Sequence, residues 1–190
     1  MIKIGIGGNL GSGKSTVAKF LAAYGGKIID ADEITHQLLT QKRIIKKIKK
    51  IFPQAIANNK VLKKELAKLV FKNKNNYQKY YNLIMPEILK TIDKKLKEKN
   101  NNFLIVDAPL LFETGLYKKM DYNILVTSPK KLKIERMLKK GFEKEDILAR
   151  LKFQAKEKEA KKYADFVIVN NKDIKKLKKE VKKIFKKIWK

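Results

Sequence analysis

The sequence predicts an α/β fold: a parallel five-stranded sheet with helices on both faces, extended by a helical insertion and a lid. Three observations predict it. A short β-branched segment, Met1 to Gly7, runs into Gly8-Asn9-Leu10-Gly11-Ser12-Gly13-Lys14-Ser15 and then into a helical stretch. A second apolar run, Phe103-Leu104-Ile105-Val106, closes on Asp107. Around them, short apolar segments alternate with longer ones of three-and-four spacing, the pattern of βαβ units.

Gly8 to Ser15 reads G-x-x-x-x-G-K-S, the spacing of a loop that cradles nucleotide phosphates. Glycine lets the backbone approach a phosphate closely, and successive N–H groups turned inward form an anion nest. The helix starting near Lys14, with Val17, Phe20 and Leu21 on one side, adds its free N–H groups and the positive end of its dipole. Lys14 is placed to reach the β- and γ-phosphates, and the Ser15 hydroxyl to ligate Mg²⁺. Gly8, Gly11, Ser12, Gly13, Lys14, Ser15 and Thr16 are therefore the candidate nucleotide-binding residues, with ATP and Mg²⁺ as the expected cofactors.

Gly25-Gly26 breaks that helix, and Lys27-Ile28-Ile29 forms a second strand ending in Asp30-Ala31-Asp32. Ligands bind beyond the carboxyl ends of strands in an open α/β sheet, which sets Asp30 and Asp32 beside the phosphate loop. Asp32 also suits the N-cap of the following helix, with Ile34, Leu38 and Leu39. His36, the only histidine, lies one turn further on the same face.

Residues 41–100 show no strand pattern. Ile44, Ile45, Ile48 and Ile51 have helical spacing, as do Val61, Leu62, Leu66, Leu69 and Val70, and Pro53 divides the two helices. Tyr77 to Lys97 reads as helix, with Pro86 kinking it or starting a new one. A helical block at this place suggests a domain for the acceptor substrate, whose pocket Tyr77, Tyr80 and Tyr81 either line or merely support by packing.

Asn100-Asn101-Asn102 reads as a turn. The strand that follows it places the Asp107 carboxylate to hold Mg²⁺ directly or through water. Ala108 to Glu113, including Pro109, Leu110 and Leu111, is expected to run over the site as an irregular apolar loop. Tyr122 to Thr127 is the fourth strand, Ser128-Pro129 opens a helix, and Asp165 to Val169 is the fifth strand. Ile134 to Tyr163 reads as a basic helical pair broken at Gly141, a lid that excludes water and adds positive charge. Arg43, Arg136 and Arg150 are the only arginines; in so lysine-rich a chain they mark places that need a planar fork for phosphate oxygens. Ile174, Leu177, Val181, Ile184 and Ile188 form the apolar stripe of a last helix that covers the sheet.

At 190 residues the chain is expected to be one domain. Residues 1–40, 101–135 and 164–190 form its nucleotide-binding core, 41–100 the acceptor subdomain and 136–163 the lid. No apolar run is long enough to span a bilayer, and Met1-Ile2-Lys3 leads straight into a strand without a signal-peptide pattern. The absence of cysteine excludes disulfides, thiolate metal sites and a cysteine nucleophile. A cytosolic monomer with no membrane partner is the expectation. The balance of 47 Lys+Arg against 19 Asp+Glu gives +28. That charge is read as solvated lysine faces rather than a nucleic-acid interface, because no platform of aromatics or arginines accompanies it.

Taken together, Gly7 to Thr16, Asp30-Ala31-Asp32 with His36, Asp107-Ala108-Pro109-Leu110-Leu111-Phe112-Glu113, and Gln154 through Asn170 resemble the dephospho-CoA kinase family over nearly the whole chain. The resemblance implies ATP-dependent phosphorylation of the ribose 3′-hydroxyl of dephospho-CoA, the last step of coenzyme A synthesis, on a nucleotide-kinase-like fold. It implies that Asp32 is the catalytic acid, that Arg136 and Lys140 face the ATP phosphates from the lid, and that Asn170 lies near the adenine. Asp30, Asp32, His36, Pro109, Leu110 and Leu111 would surround the acceptor. Three departures stand out. Met85 precedes Pro86 where the family usually has His, Lys140 replaces a frequent arginine, and Lys172 stands where glycine usually follows the asparagine. The rival readings are another small-molecule kinase, of nucleoside monophosphate or shikimate type, and a basic nucleic-acid-binding protein with the same loop. A GTPase is excluded, since Ala108-Pro109-Leu110 follows Asp107 in place of D-x-x-G and Asn171-Lys172-Asp173 lacks the spacer of N-K-x-D.

Overall fold

Residues 1–98, 102–154 and 157–189 are described by the computed structural model. The turn expected at Asn100-Asn101-Asn102 lies, Asn102 excepted, outside them. In chain order the elements are β1 (Ile2–Gly7), α1 (Lys14–Ala22), β2 (Lys27–Asp30), α2 (Ala31–Leu38), α3 (Lys42–Ile51), β3 (Ile56–Ala57), β4 (Lys60–Val61), α4 (Lys63–Val70), α5 (Lys74–Leu96), β5 (Phe103–Asp107), β6 (Tyr122–Thr127), α6 (Lys130–Leu138), α7 (Lys144–Lys152), α8 (Glu157–Ala160), β7 (Phe166–Val169) and α9 (Ile174–Ile188).

Five of the strands form one parallel sheet in the order β2-β5-β1-β6-β7. Parallel strands are covered on both faces and so read as continuous apolar runs; β5 is buried at every position. Its alternation divides the interior. Phe103 and Ile105 pack with Ile4, Ile6, Val17 and Leu21 beneath α1 and α9. Leu104 and Val106 face the helical block, against Ile44, Ile48, Ile84 and Ile88. The register sets Asp107 opposite Ile6 on one side and Asp30 on the other. The carboxyl ends of three strands are thereby level, and the phosphate loop, Asp30 and Asp107 meet at one rim of the sheet.

The helical block departs from expectation at one place. It contains a small antiparallel hairpin, Ile56–Ala57 against Lys60–Val61, where no strand was expected. Its turn residues Asn58 and Asn59 both have positive φ (48° and 56°), the left-handed pair that a two-residue hairpin turn requires and that Asn tolerates. Val61 and Leu62 therefore precede α4 rather than belong to it. Of the two readings of Pro86, the start of a new helix is excluded, because α5 is one helix of 23 residues with Pro86 inside it. Proline removes the N–H that would bond the carbonyl of Asn82, and both residues are exposed, so the loss falls on the solvent side of the helix.

Candidate active site

The phosphate loop is held from behind. At Gly8 (φ 145°) a Cβ would run into the backbone carbonyl of Val126, and at Gly13 (φ 99°) into the side-chain amide of Asn170. No side chain larger than hydrogen fits either place. Gly13 caps α1 without any side-chain hydrogen bond, which leaves that helix end to a ligand. Asn170 Nδ2 donates to the Ser12 carbonyl at 2.8 Å. Arg136 donates from Nη1 to the carbonyls of Gly11 (3.2 Å) and Ser12 (3.4 Å) and to Ser128 Oγ (3.1 Å), and from Nη2 to the Asn170 carbonyl (3.0 Å).

This geometry corrects the expected placement of Arg136. Its fork is spent on loop carbonyls instead of extending toward the phosphates, and the Asn170 amide is spent on Ser12 rather than turned toward a base. The physical reason is that a nest aims its N–H groups inward, so its carbonyls need donors on the outside. One planar guanidinium meets several carbonyls where an ammonium cannot. Replacing Arg136 by lysine is expected to raise the KM for ATP about ten- to hundredfold, the worth of one charged hydrogen bond, with the KM for the acceptor unchanged; initial-rate kinetics in both substrates checks this. Lys140 sits exposed in the turn after α6, with no ion pair among the described residues.

Asp107 ends β5 at 3% exposure, and its Oδ1 has no hydrogen-bond partner among the described residues. Burial pushes its carboxyl above the usual range; Lys14 and the Ser15 hydroxyl pull the other way, and Asp30 and Asp32 push it further up. An orphaned buried carboxylate oxygen beside a serine hydroxyl offers the hard oxygen donors that Mg²⁺ takes, so these residues fit that ion. Among the described residues, no cluster of three or more His, Cys, Asp or Glu could hold a metal by itself.

Asp30, the last residue of β2, takes the capping role that the sequence suggested for Asp32. Asp30, with extended backbone, is the N-cap of α2: its Oδ1 accepts from the N–H groups of Asp32 (2.8 Å) and Glu33 (3.1 Å). Asp32 lies one position inside the helix, exposed, with its carboxylate not used for capping. Asp32 and His36 line a cleft of about 320 Å³ between the phosphate loop and the helical block, and Asp30 does not. Pro109 and Leu110 line it as well. Leu111, expected there, is fully buried instead: a Cβ on Gly5 would lie 2.9 Å from its Cδ2, so it packs beneath β1 as core.

Tyr77, Tyr80 and Tyr81 do line the cleft. Burial pushes the phenols of Tyr77 and Tyr80 up to about 12, so both remain donors at neutral pH. The opposite wall comes from α7 and the residues after it. Phe153 stacks on Tyr77 with ring centroids 4.6 Å apart, and the Arg150 guanidinium lies 4.9 Å from the Phe71 ring and 5.6 Å from that of Phe142. Gln154 Oε1 accepts the Leu10 N–H of the phosphate loop at 2.9 Å, and the buried Lys133 pairs with Glu157 at 2.6 Å. Phe153 and Gln154 were not among the residues expected at the site, and Arg150 was expected only as one of three arginines marking phosphate-oxygen forks, with no place in the cleft assigned to it. The rarity of arginine in this chain is the one signal that pointed to Arg150.

Comparison with known proteins adds to this geometry. The family model described as dephospho-CoA kinase matches residues 2–176. A curated dephospho-CoA kinase from Aquifex aeolicus is 34% identical over 99% of this chain and 98% of its own. A crystal structure from Thermus thermophilus superposes with a TM-score of 0.79 at 29% identity, covering 98% of this chain and 97% of that one. Shikimate kinase from Acinetobacter baumannii, in complex with shikimate, superposes with a TM-score of 0.60 over 100% of this chain and 93% of its own, but at 15% identity it shares the fold alone.

Proposed function

The chain belongs to the dephospho-CoA kinase family, and from that premise we propose that it transfers the γ-phosphoryl group of ATP to the ribose 3′-hydroxyl of dephospho-CoA, giving coenzyme A and ADP, the last step of coenzyme A synthesis. The single observation that carries the assignment of roles is that Lys14 of the phosphate loop and the uncommitted carboxylate of Asp32 line one cleft. Phosphoryl transfer asks mainly for positioning and charge neutralisation. Asp32 orients the 3′-hydroxyl and accepts its proton as that oxygen bonds to the γ-phosphorus and the bond to the β–γ bridging oxygen breaks. Lys14 holds the β- and γ-phosphates, and the loop N–H groups of Gly8 to Thr16 hold the nucleotide, kept in shape by Arg136 and Asn170. Lys140 adds positive charge from the turn beyond α6.

Asp107 and Ser15 would hold Mg²⁺, which when bound neutralises charge on the β- and γ-phosphates. His36, Pro109 and Leu110 border the acceptor. On this reading the working parts are the core, the helical block at 41–100 and a lid whose moving portion follows Gly141, since Arg136 ties α6 to the loop. Among the described residues no helix is long and apolar enough to cross a membrane. We take the enzyme to act in the cytosol as a monomer without nucleic acid; its +28 charge opposes self-association.

A coupled ADP-release assay with ATP and Mg²⁺, offering dephospho-CoA, shikimate and AMP in parallel, tests the assignment. Turnover confined to dephospho-CoA is expected. Turnover of either other acceptor in its place, or of none, overturns it.

A further inference from the structure

We propose that Arg150 is a specificity-determining residue that grips the diphosphate of the acceptor, not the phosphoryl group in transfer. The inference rests on dephospho-CoA being the acceptor. That molecule carries a neutral pantetheine arm and an adenosine, joined by a diphosphate at the ribose 5′ position. With the 3′-hydroxyl on Asp32, the diphosphate leaves the same sugar ring and needs a cation beside Asp32 that the nucleotide does not already occupy. Of the charged side chains that line the cleft, Lys14 belongs to the phosphate loop, Asp32 is an anion, and Lys63 and Arg150 are the remaining full cations among the described residues. Lys63 lies at the start of α4, an ammonium on a flexible stem.

Arg150 is built into place. Its guanidinium is held over Phe71 and near Phe142, so the aromatic faces fix its plane. Its Nε is buried and has no hydrogen-bond partner among the described residues. A buried N–H of a half-buried guanidinium left without an acceptor is costly, and a bidentate phosphate is the ligand that fork geometry matches. Phe71 follows α4 in the helical block, so Arg150 is positioned against the acceptor's wall and not against the nucleotide's. Burial draws its guanidinium below its ordinary value, with Asp146, Asp32 and Tyr80 opposing; it stays charged throughout the working range of pH.

The test compares wild type, Arg150→Lys and Arg150→Met by initial-rate kinetics and by calorimetric binding of dephospho-CoA. In both variants the KM and Kd for dephospho-CoA are expected to rise about ten- to hundredfold, less in Arg150→Lys, which keeps the charge but not the fork. The kcat, the KM for ATP and the acceptor-free hydrolysis of ATP are expected to hold. A fall in kcat or in ATP hydrolysis, with acceptor affinity unchanged, places Arg150 on the transferring group and overturns the proposal, as does no change at all. If Arg150→Met fails to fold, Arg150→Lys, which keeps the aliphatic stem and the charge, decides alone. A wild type that neither binds nor turns over dephospho-CoA removes the functional assignment itself, and this proposal with it.

Discussion

Replacing Asp32 by asparagine is expected to lower kcat about 10²- to 10⁴-fold, the usual contribution of a positioned general base, while the KM for ATP and the melting temperature stay where they are. The reasons lie in the first turn of α2. Asp30, not Asp32, satisfies the free N–H groups of that turn, so asparagine at position 32 removes no cap. Asp32 is exposed and its own N–H bond to Asp30 is untouched by the change. Asparagine preserves size and hydrogen bonding to a hydroxyl but cannot take its proton. Asp30→Ala should behave oppositely, costing about 1 kcal/mol of stability through loss of the cap. Thermal melts beside steady-state kinetics on the Asp32 variant check the first result; an Asp32→Asn enzyme that keeps wild-type kcat would end the assignment of the base.

Asp107→Asn is expected to abolish most activity, about a hundredfold or more if, as proposed, this carboxylate holds Mg²⁺, and at the same time to make the protein more stable at neutral pH. The native carboxyl sits above its ordinary value, chiefly because it is buried. A raised acid binds its proton more tightly folded than unfolded, so it favours the folded state most below the unfolded value. That contribution is lost as pH rises through the native value. At neutral pH the ionised group therefore weighs against folding, and its removal lifts the melting temperature by about 2–4 °C for each kcal/mol recovered. Melting curves for both proteins across pH 4 to 8 should diverge as pH rises, the variant being the more stable at the alkaline end. Curves that run parallel would mean that Lys14 and Ser15 already compensate the charge in full.

The sheet was legible because its strands are short apolar runs bounded by clear breakers, and the phosphate loop because its spacing has a mechanical cause in Gly8 and Gly13. The hairpin at residues 56–61 was not, because two-residue strands show no alternation; Asn58-Asn59 was its only mark. At the site, the distinction between Asp30 and Asp32 turns on one residue of helix phase, finer than a spacing rule resolves. Leu111 belongs to an apolar loop either way, and only tertiary packing decides that it points inward while Leu110 does not. Arg136 illustrates a different limit. Sequence identifies a fork that oxygen atoms require, but carbonyl and phosphate oxygens ask for the same fork. Phe153 and Gln154 find partners distant in the chain, Tyr77 and Leu10, which no local pattern reveals.

The position of β1 has a consequence for how the molecule is made. It is the middle strand, yet its neighbours are β5 and β6, beginning with Ile2 opposite Phe103 and Ile4 opposite Tyr122. A ribosome exposes that apolar strand long before either partner has been synthesised. Closing so long a loop is entropically slow, and unpaired strands in waiting are prone to aggregate. The helices of the intervening block, α2 to α5, take their backbone hydrogen bonds from within themselves and are free to form in the meantime, although their apolar faces await Leu104 and Val106. Folding should therefore proceed with helix appearing first and the sheet closing late, and the phosphate loop, strung between β1 and α1, should acquire its shape only in that last step.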